Sequence, residues 1–153
     1  AGDKRFTVVE EMISTTLTFP GERLAHFTAS FGANDIDQYR VLGSEGQIEV
    51  QRAYRFDQPL LLRMTRGGKT EETAYPQFDH FSGQTHYFSE CIRKGVRPEA
   101  DGGEGLNDVR VMLAIEAAAA TGLPQKIANA PRPQHPTPAM ARRFPYAEKR
   151  LML

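Results

Sequence analysis

Apolar and polar positions alternate through the first half of the chain and recur every three or four residues in the second. In residues 6–19, Val9, Ile13, Leu17 and Phe19 share one side with Thr7, Glu11 and Thr15, while Glu10, Ser14, Thr16 and Thr18 line the other. A period of two among β-branched residues predicts one long strand with a hydroxyl-rich face. Pro20-Gly21-Glu22 reads as a turn. Residues 23–31 then alternate again, with Ala25, Phe27, Ala29 and Phe31 inward and Leu24, His26, Thr28 and Ser30 outward. The pair is expected as an antiparallel hairpin covered on one side only. After a loop at 32–37, strands at 38–42 and 47–52 flank Gly43-Ser44-Glu45-Gly46, whose glycines are expected to supply the positive φ of a tight turn. Ile48 and Val50 mark that hairpin's inner face. Strands at 60–66 and 69–75 about Gly67-Gly68 give a third hairpin.

Beyond Pro76 the period changes to a helical one. Phe78, Phe81, Thr85, Phe88, Cys91 and Ile92 form an apolar stripe, Arg93 and Lys94 sit in the last turn, and Gly95 supplies a left-handed stop. A second helix opens near Gly105 with Asp108 in its first turn. Its expected buried face is Leu106, Val109, Leu113 and Ala117, and Gly122 and Pro124 end it. Strands first and helices after predict an α+β fold: a mostly antiparallel, open-faced sheet with two main helices packed on one face. Residues 1–127 form that domain on this reading, and 128–153, rich in proline, form an extended tail. The uncovered Ser/Thr face is expected to serve as a homodimer surface.

Composition narrows the function classes. Nineteen basic residues balance nineteen acidic ones, so no global field favours nucleic acid or an anionic membrane. No apolar run approaches the roughly 20 residues of a membrane span. One cysteine excludes an internal disulfide framework and suits a reducing cytoplasm. A periplasmic home stays open, since a leader before Ala1 would not be visible.

No complete active site is legible. There is no G-x-G-x-x-G after a strand and no P-loop. Gly102-Gly103-Glu104-Gly105 precedes a helix, but it follows a loop and not a strand, and Glu99, Asp101 and Glu104 would repel a phosphate. His80 and His86, six apart on a helix, do not chelate one metal, and His26 and His135 lie elsewhere. Cys91 sits inside the apolar stripe, as a core residue would; a hydrolase built on it requires an exposed thiol beside a base. Pro133-Gln134-His135-Pro136 fits a P-x-x-P ligand but is better read as an arm packed on the molecule. Arg142, Arg143, Lys149 and Arg150 read as a solvated end.

One resemblance spans nearly the whole chain. Phe81, Gln84, Phe88, Cys91-Ile92-Arg93, Gly95 and Pro98 are followed by Gly103 to Val111 (G-x-G-L-N-D-V-R-V) and by Ala114 to Pro124 (A-I-E-A-A-A-A-T-G-L-P). Upstream stands Y-R-V-x-G-x-x-G, and downstream P-R-P-x-x-P-T-P. The order resembles the C-terminal domain of the glucose–fructose oxidoreductase / inositol dehydrogenase (Gfo/Idh/MocA) family. The resemblance implies a two-domain enzyme in which a Rossmann domain, absent from this sequence, binds NAD or NADP. This segment would then shape the sugar or polyol pocket and the oligomer interface. It implies no catalytic, cofactor-binding or metal-binding residue within the segment, which alone would be inactive. Glu148-Lys149-Arg150 does not replace the family's Glu-Lys-Pro, because it lacks the proline and follows no strand. Asp79, His80, Phe81 and Gln84 are the candidate substrate-binding residues. On the residues alone, Asp79 would cap the helix, His80 would be solvated and Gln84 would brace the sheet. The competing reading is a stand-alone, non-catalytic dimerisation or ligand-binding module.

Overall fold

The computed structural model describes residues 4–128 and 136–145. The strands are β1 (Met12–Phe19), β2 (Arg23–Ser30), β3 (Gln38–Gly43), β4 (Gly46–Gln51), β5 (Leu60–Arg66) and β6 (Lys69–Tyr75), followed by α1 (His80–Lys94), α2 (Gly102–Thr121) and a 3₁₀ turn at Pro138–Met140. The α+β class holds. Where one sheet was expected, the strands form two, a β1-β2 pair and a β3-β4-β5-β6 sheet. The chain divides into two compact units, residues 1–36 with 111–127 and residues 37–110 with 128–153, so that α2 contributes to both. The P-x-x-P motif apart from Pro136, and Lys149 and Arg150, lie outside the described residues.

In the first unit β1 and β2 pair antiparallel, with Ile13 opposite Ala29, Thr15 opposite Phe27 and Leu17 opposite Ala25. Ile13, Thr15 and Leu17 are half-buried and their alternates exposed, as period two requires. The strand is shorter than expected because β2 ends at Ser30, which is the partner of Met12. Before Met12 the chain is held by Phe6 stacked on Phe31 at 5.5 Å and by the hydrogen bond that the Phe31 N–H donates to Glu11 O at 3.0 Å.

In the second unit the four strands are all antiparallel and in register. Tyr39, Val50 and Leu62 line up on one face with Val41, Ile48 and Met64, and Val50 is 2% exposed. The opposite face carries Arg40, Glu49, Arg63 and Glu72 in one row across all four strands. Arg40 pairs with Glu49, and Arg63 Nε meets Glu72 Oε2 at 2.6 Å. The hydrogen bond it donates to Glu72 is the main reason the Arg63 guanidinium is held more firmly protonated than usual. Gly67 and Gly68, at φ 55° and 74°, make the β5–β6 turn that only glycine enters cheaply. Gly43 and Gly46 do not have the positive φ expected of them. Gly46 is needed for another reason: a Cβ there would drive into the Thr65 carbonyl oxygen, with Thr65 C at 3.2 Å and Arg66 Cα at 3.3 Å.

The ends of α1 are those its sequence requires, whereas α2 stops at Thr121 before Gly122 as expected but starts at Gly102 and not near Gly105, so Glu104 and not Asp108 lies in its first turn. Asp79 caps α1, and Gly95 closes it at φ 63°, its N–H bonded to the carbonyls of Cys91 and Ile92 after Arg93 and Lys94 in the last turn. The covered faces of the two helices match those the pattern marked only in part: Phe78 and Cys91 of the first stripe and Ala117 of the second are covered, the rest are not. Phe81, Phe88 and Ile92 are exposed, and the covered side of α1 is Gly83, Tyr87, Glu90 and Cys91. Leu106, Val109 and Leu113 of α2 are likewise exposed, while Glu104, Asn107, Val111, Ala114 and Ala118 turn inward. Polar members are tolerated inside because they are bonded: Tyr87 Oη accepts the Glu99 N–H at 2.9 Å, and Asn107 Oδ1 accepts from Arg110 at 3.2 Å. Hydrophobic spacing gave the helical period, but it does not say which side this chain covers. Among the described residues no helix is long and apolar enough to cross a membrane.

Candidate functional site

The candidate residues occupy the first turn and a half of α1. Asp79 is half-buried and spends both carboxylate oxygens on the helix start: Oδ1 accepts the Ser82 N–H at 2.8 Å and Oδ2 the Ser82 hydroxyl at 2.7 Å. The Ser82 amide, followed by the Ser82 hydroxyl, holds this carboxyl below its usual range. The Asp79 N–H in turn donates to Phe144 O at 3.0 Å. Asp79 is thus committed to holding the helix start.

His80 and Gln84 are exposed and four residues apart, on one side of the helix. His80 meets the Phe56 ring edge-on at 5.4 Å and 68°, and Phe81 leans on the same ring at 5.2 Å and 52°. The structure therefore gathers His80 and Phe81 about Phe56, puts Gln84 one turn further along, and assigns Asp79 to the cap. Phe56 itself, from the loop between β4 and β5, escaped the sequence reading. So did Gln77, whose side-chain amide donates to the Phe56 carbonyl at 3.4 Å. Neither belongs to a periodic segment, and a ring in an irregular loop gives no pattern to detect. The grouping offers an apolar ring surface edged by an imidazole and an amide, suited to hydrogen bonding and stacking.

Other candidates are accounted for by local bonding. Cys91 is 4% exposed, which removes the hydrolase reading. His26 lies on the hydroxyl face of β2, its Nδ1 3.1 Å from Thr16 Oγ1 and its Nε2 3.4 Å from Ser14 Oγ. Among the described residues no three His, Cys, Asp or Glu groups converge as a metal site. The glycine-rich start of α2 does not fit a dinucleotide pyrophosphate. Asp101 Oδ1 already accepts the amides of Gly103 at 2.9 Å and Glu104 at 3.1 Å, and Arg97 pairs with its other oxygen. The Glu104 amide and then Arg97 hold the Asp101 carboxyl below its usual range.

No protein-family model matches the chain. Over 114 residues, 74% of this chain, it is 32% identical to D-xylose 1-dehydrogenase [NADP(+)] of Haloarcula marismortui, of which the match covers 32%. Over 122 residues, 78% of this chain, it is 24% identical to D-xylose 1-dehydrogenase (NADP(+)) 2 of Haloferax volcanii, covering 38% of that protein. The chain spans about a third of the length of these curated relatives.

Proposed function

We propose that this chain, a family-level relative of the Gfo/Idh/MocA-type oxidoreductases, is the substrate-binding and assembly part of an NAD(P)-dependent sugar or polyol dehydrogenase. The observation behind this reading is the 32% identity to a D-xylose 1-dehydrogenase over 114 residues. In this reading hydride transfer depends on a dinucleotide-binding domain outside the present sequence, and that cofactor does the redox chemistry when bound. The α2 helix start is not assigned to the cofactor, because its amides are already taken by the Asp101 carboxylate.

The sugar is proposed to lie at the start of α1. The Phe56 and Phe81 rings offer a face to its C–H surface, and His80 and Gln84 hydrogen-bond its hydroxyls. Asp79 acts indirectly by fixing the turn from which His80 projects. Assembly is proposed to use an open polar sheet face to form a homodimer. The hydroxyl row on β1 and β2 is one such face. The row Arg40, Glu49, Arg63, Glu72 is another, and its alternating sign is self-complementary: a two-fold copy sets each arginine opposite a glutamate.

The test compares D-xylose-dependent NADP⁺ reduction by the whole protein carrying this chain with that of the isolated chain. Turnover by the whole protein and none by the isolated chain is expected. NADP⁺ reduction by the isolated chain would overturn the division of labour proposed here.

A further inference from the structure

The described part of the tail does not run free of the second unit. Phe78 and Pro145 form an isolated antiparallel bridge, and the Phe144 carbonyl accepts the Asp79 N–H at 3.0 Å. The Phe144 ring leans on His86 at 5.3 Å and 52°, and the Arg143 guanidinium stands 5.8 Å over Phe78. Just before this contact the tail is stiffened by the 3₁₀ turn at Pro138–Met140 and by Arg142, whose Nη1 donates to Ala139 O at 2.9 Å and Ala141 O at 3.0 Å.

The seat for Phe144 is a glycine. A Cβ on Gly83 would lie 3.5 Å from Phe144 Cδ2, in ordinary contact, so the ring occupies space that any larger side chain would need. A glycine inside a helix costs roughly 1 kcal/mol relative to alanine, and here it leaves room for the tail ring. At about 100° per residue, Gly83, His86 and Tyr87 share one side of α1, and His80 and Gln84 flank it by about 60–100°. The apolar ridge of Phe81, Phe88 and Ile92 is on the far side. The tail therefore docks beside the candidate ligand residues without covering them.

We propose that residues 137–145 are a strap that sets the first turn of α1, and that Phe144 is a positioning residue for His80. The link is short. Asp79 is tied on one side to Ser82 through its carboxylate and on the other to Phe144 through its N–H, and His80 follows it directly. Releasing the strap frees the Asp79 amide, frays the cap and lets the His80 ring leave Phe56. Only the consequence for a sugar ligand rests on the function proposed above; the strap itself does not.

The experiment uses the whole protein with Phe144→Ala, Gly83→Ala and Gly83→Leu, read by amide hydrogen exchange at Asp79 and by the NMR shifts of the His80 ring, without ligand. Phe144→Ala and Gly83→Leu are expected to speed Asp79 exchange about tenfold or more and to move the His80 signals together, with the amides of β3–β6 unchanged. Gly83→Ala leaves both at their wild-type values, since the added methyl only touches the ring. An unmoved His80 in Phe144→Ala, or a Gly83→Leu protein indistinguishable from Gly83→Ala, overturns the proposal. A D-xylose titration of the same proteins is a separate arm. Wild-type protein that ignores the sugar defeats the sugar reading, while the exchange and His80 results still decide the strap. Wild-type protein that binds, with Phe144→Ala unimpaired, overturns the positioning role.

Discussion

Gly43 and Gly46 close the same two-residue turn and look interchangeable in sequence, yet alanine should affect them differently. At Gly46 the new Cβ meets backbone, the Thr65 carbonyl of the neighbouring strand, and neither strand yields without disturbing the ladder at that end of the β4–β5 pair. Forcing such a contact costs roughly 1–3 kcal/mol. The reduced freedom of the unfolded chain offsets about 0.4–1 kcal/mol of that. Gly46→Ala is therefore expected to destabilise by about 1–2 kcal/mol. At Gly43 the nearest atom is Gly46 O at 3.6 Å and φ is not in the left-handed region, so the unfolded-state gain is all that remains. Gly43→Ala should be neutral or stabilising by about 0.5 kcal/mol. The two midpoints should then differ by roughly 4–8 °C in a chain of this size. Thermal and urea melts of both variants, followed by far-UV circular dichroism, measure this. Equal midpoints would show that close approach at Gly46 is not what selects glycine there.

Other expectations concern the core, the caps and the site. Val50→Ala removes two methyl groups from the most buried sheet position, 2% exposed, and should cost about 2–3 kcal/mol in a urea melt, from transfer and cavity together; a loss below about 0.5 kcal/mol would mean that position is open. The carboxyls of Asp79, Glu90 and Asp101 are all held low, Glu90 chiefly by its bond from Lys94. For each, the folded form binds a proton less readily than the unfolded chain, whose value is about 4. Their stabilisation is complete above that pH and lost as pH falls through the lower folded values. Asp79→Asn keeps a capping side chain without the charge, so an acid titration of helicity should be flatter than wild type; an unchanged acid limb would refute the assignment. His80→Ala and Gln84→Ala in the whole protein should raise KM for the sugar several-fold with little change in kcat, as loss of uniform binding does; a fall in kcat at constant KM would argue against a binding role.

Local signals fixed most of the elements. Period two placed six strands, with β5 and β6 at their observed bounds, because alternation and a two-glycine turn are properties of neighbouring residues. Asp79, the Arg93-Lys94 pair and Gly95 set both ends of α1 for the same reason. Partition of the strands into two sheets depends on which strands meet, and no local pattern encodes that. The covered helix faces are also tertiary: the phenylalanine ridge of α1 is exposed, while a glycine, a tyrosine and a bonded glutamate turn inward. The candidate site divides along the same line. Asp79, His80, Phe81 and Gln84 were named from sequence and resemblance, but Phe56 and Phe144 reach them across about 25 and 60 residues of chain. Contacts between distant irregular segments leave no periodicity behind, so only the folded chain reveals the ring beside His80 and the strap beneath it.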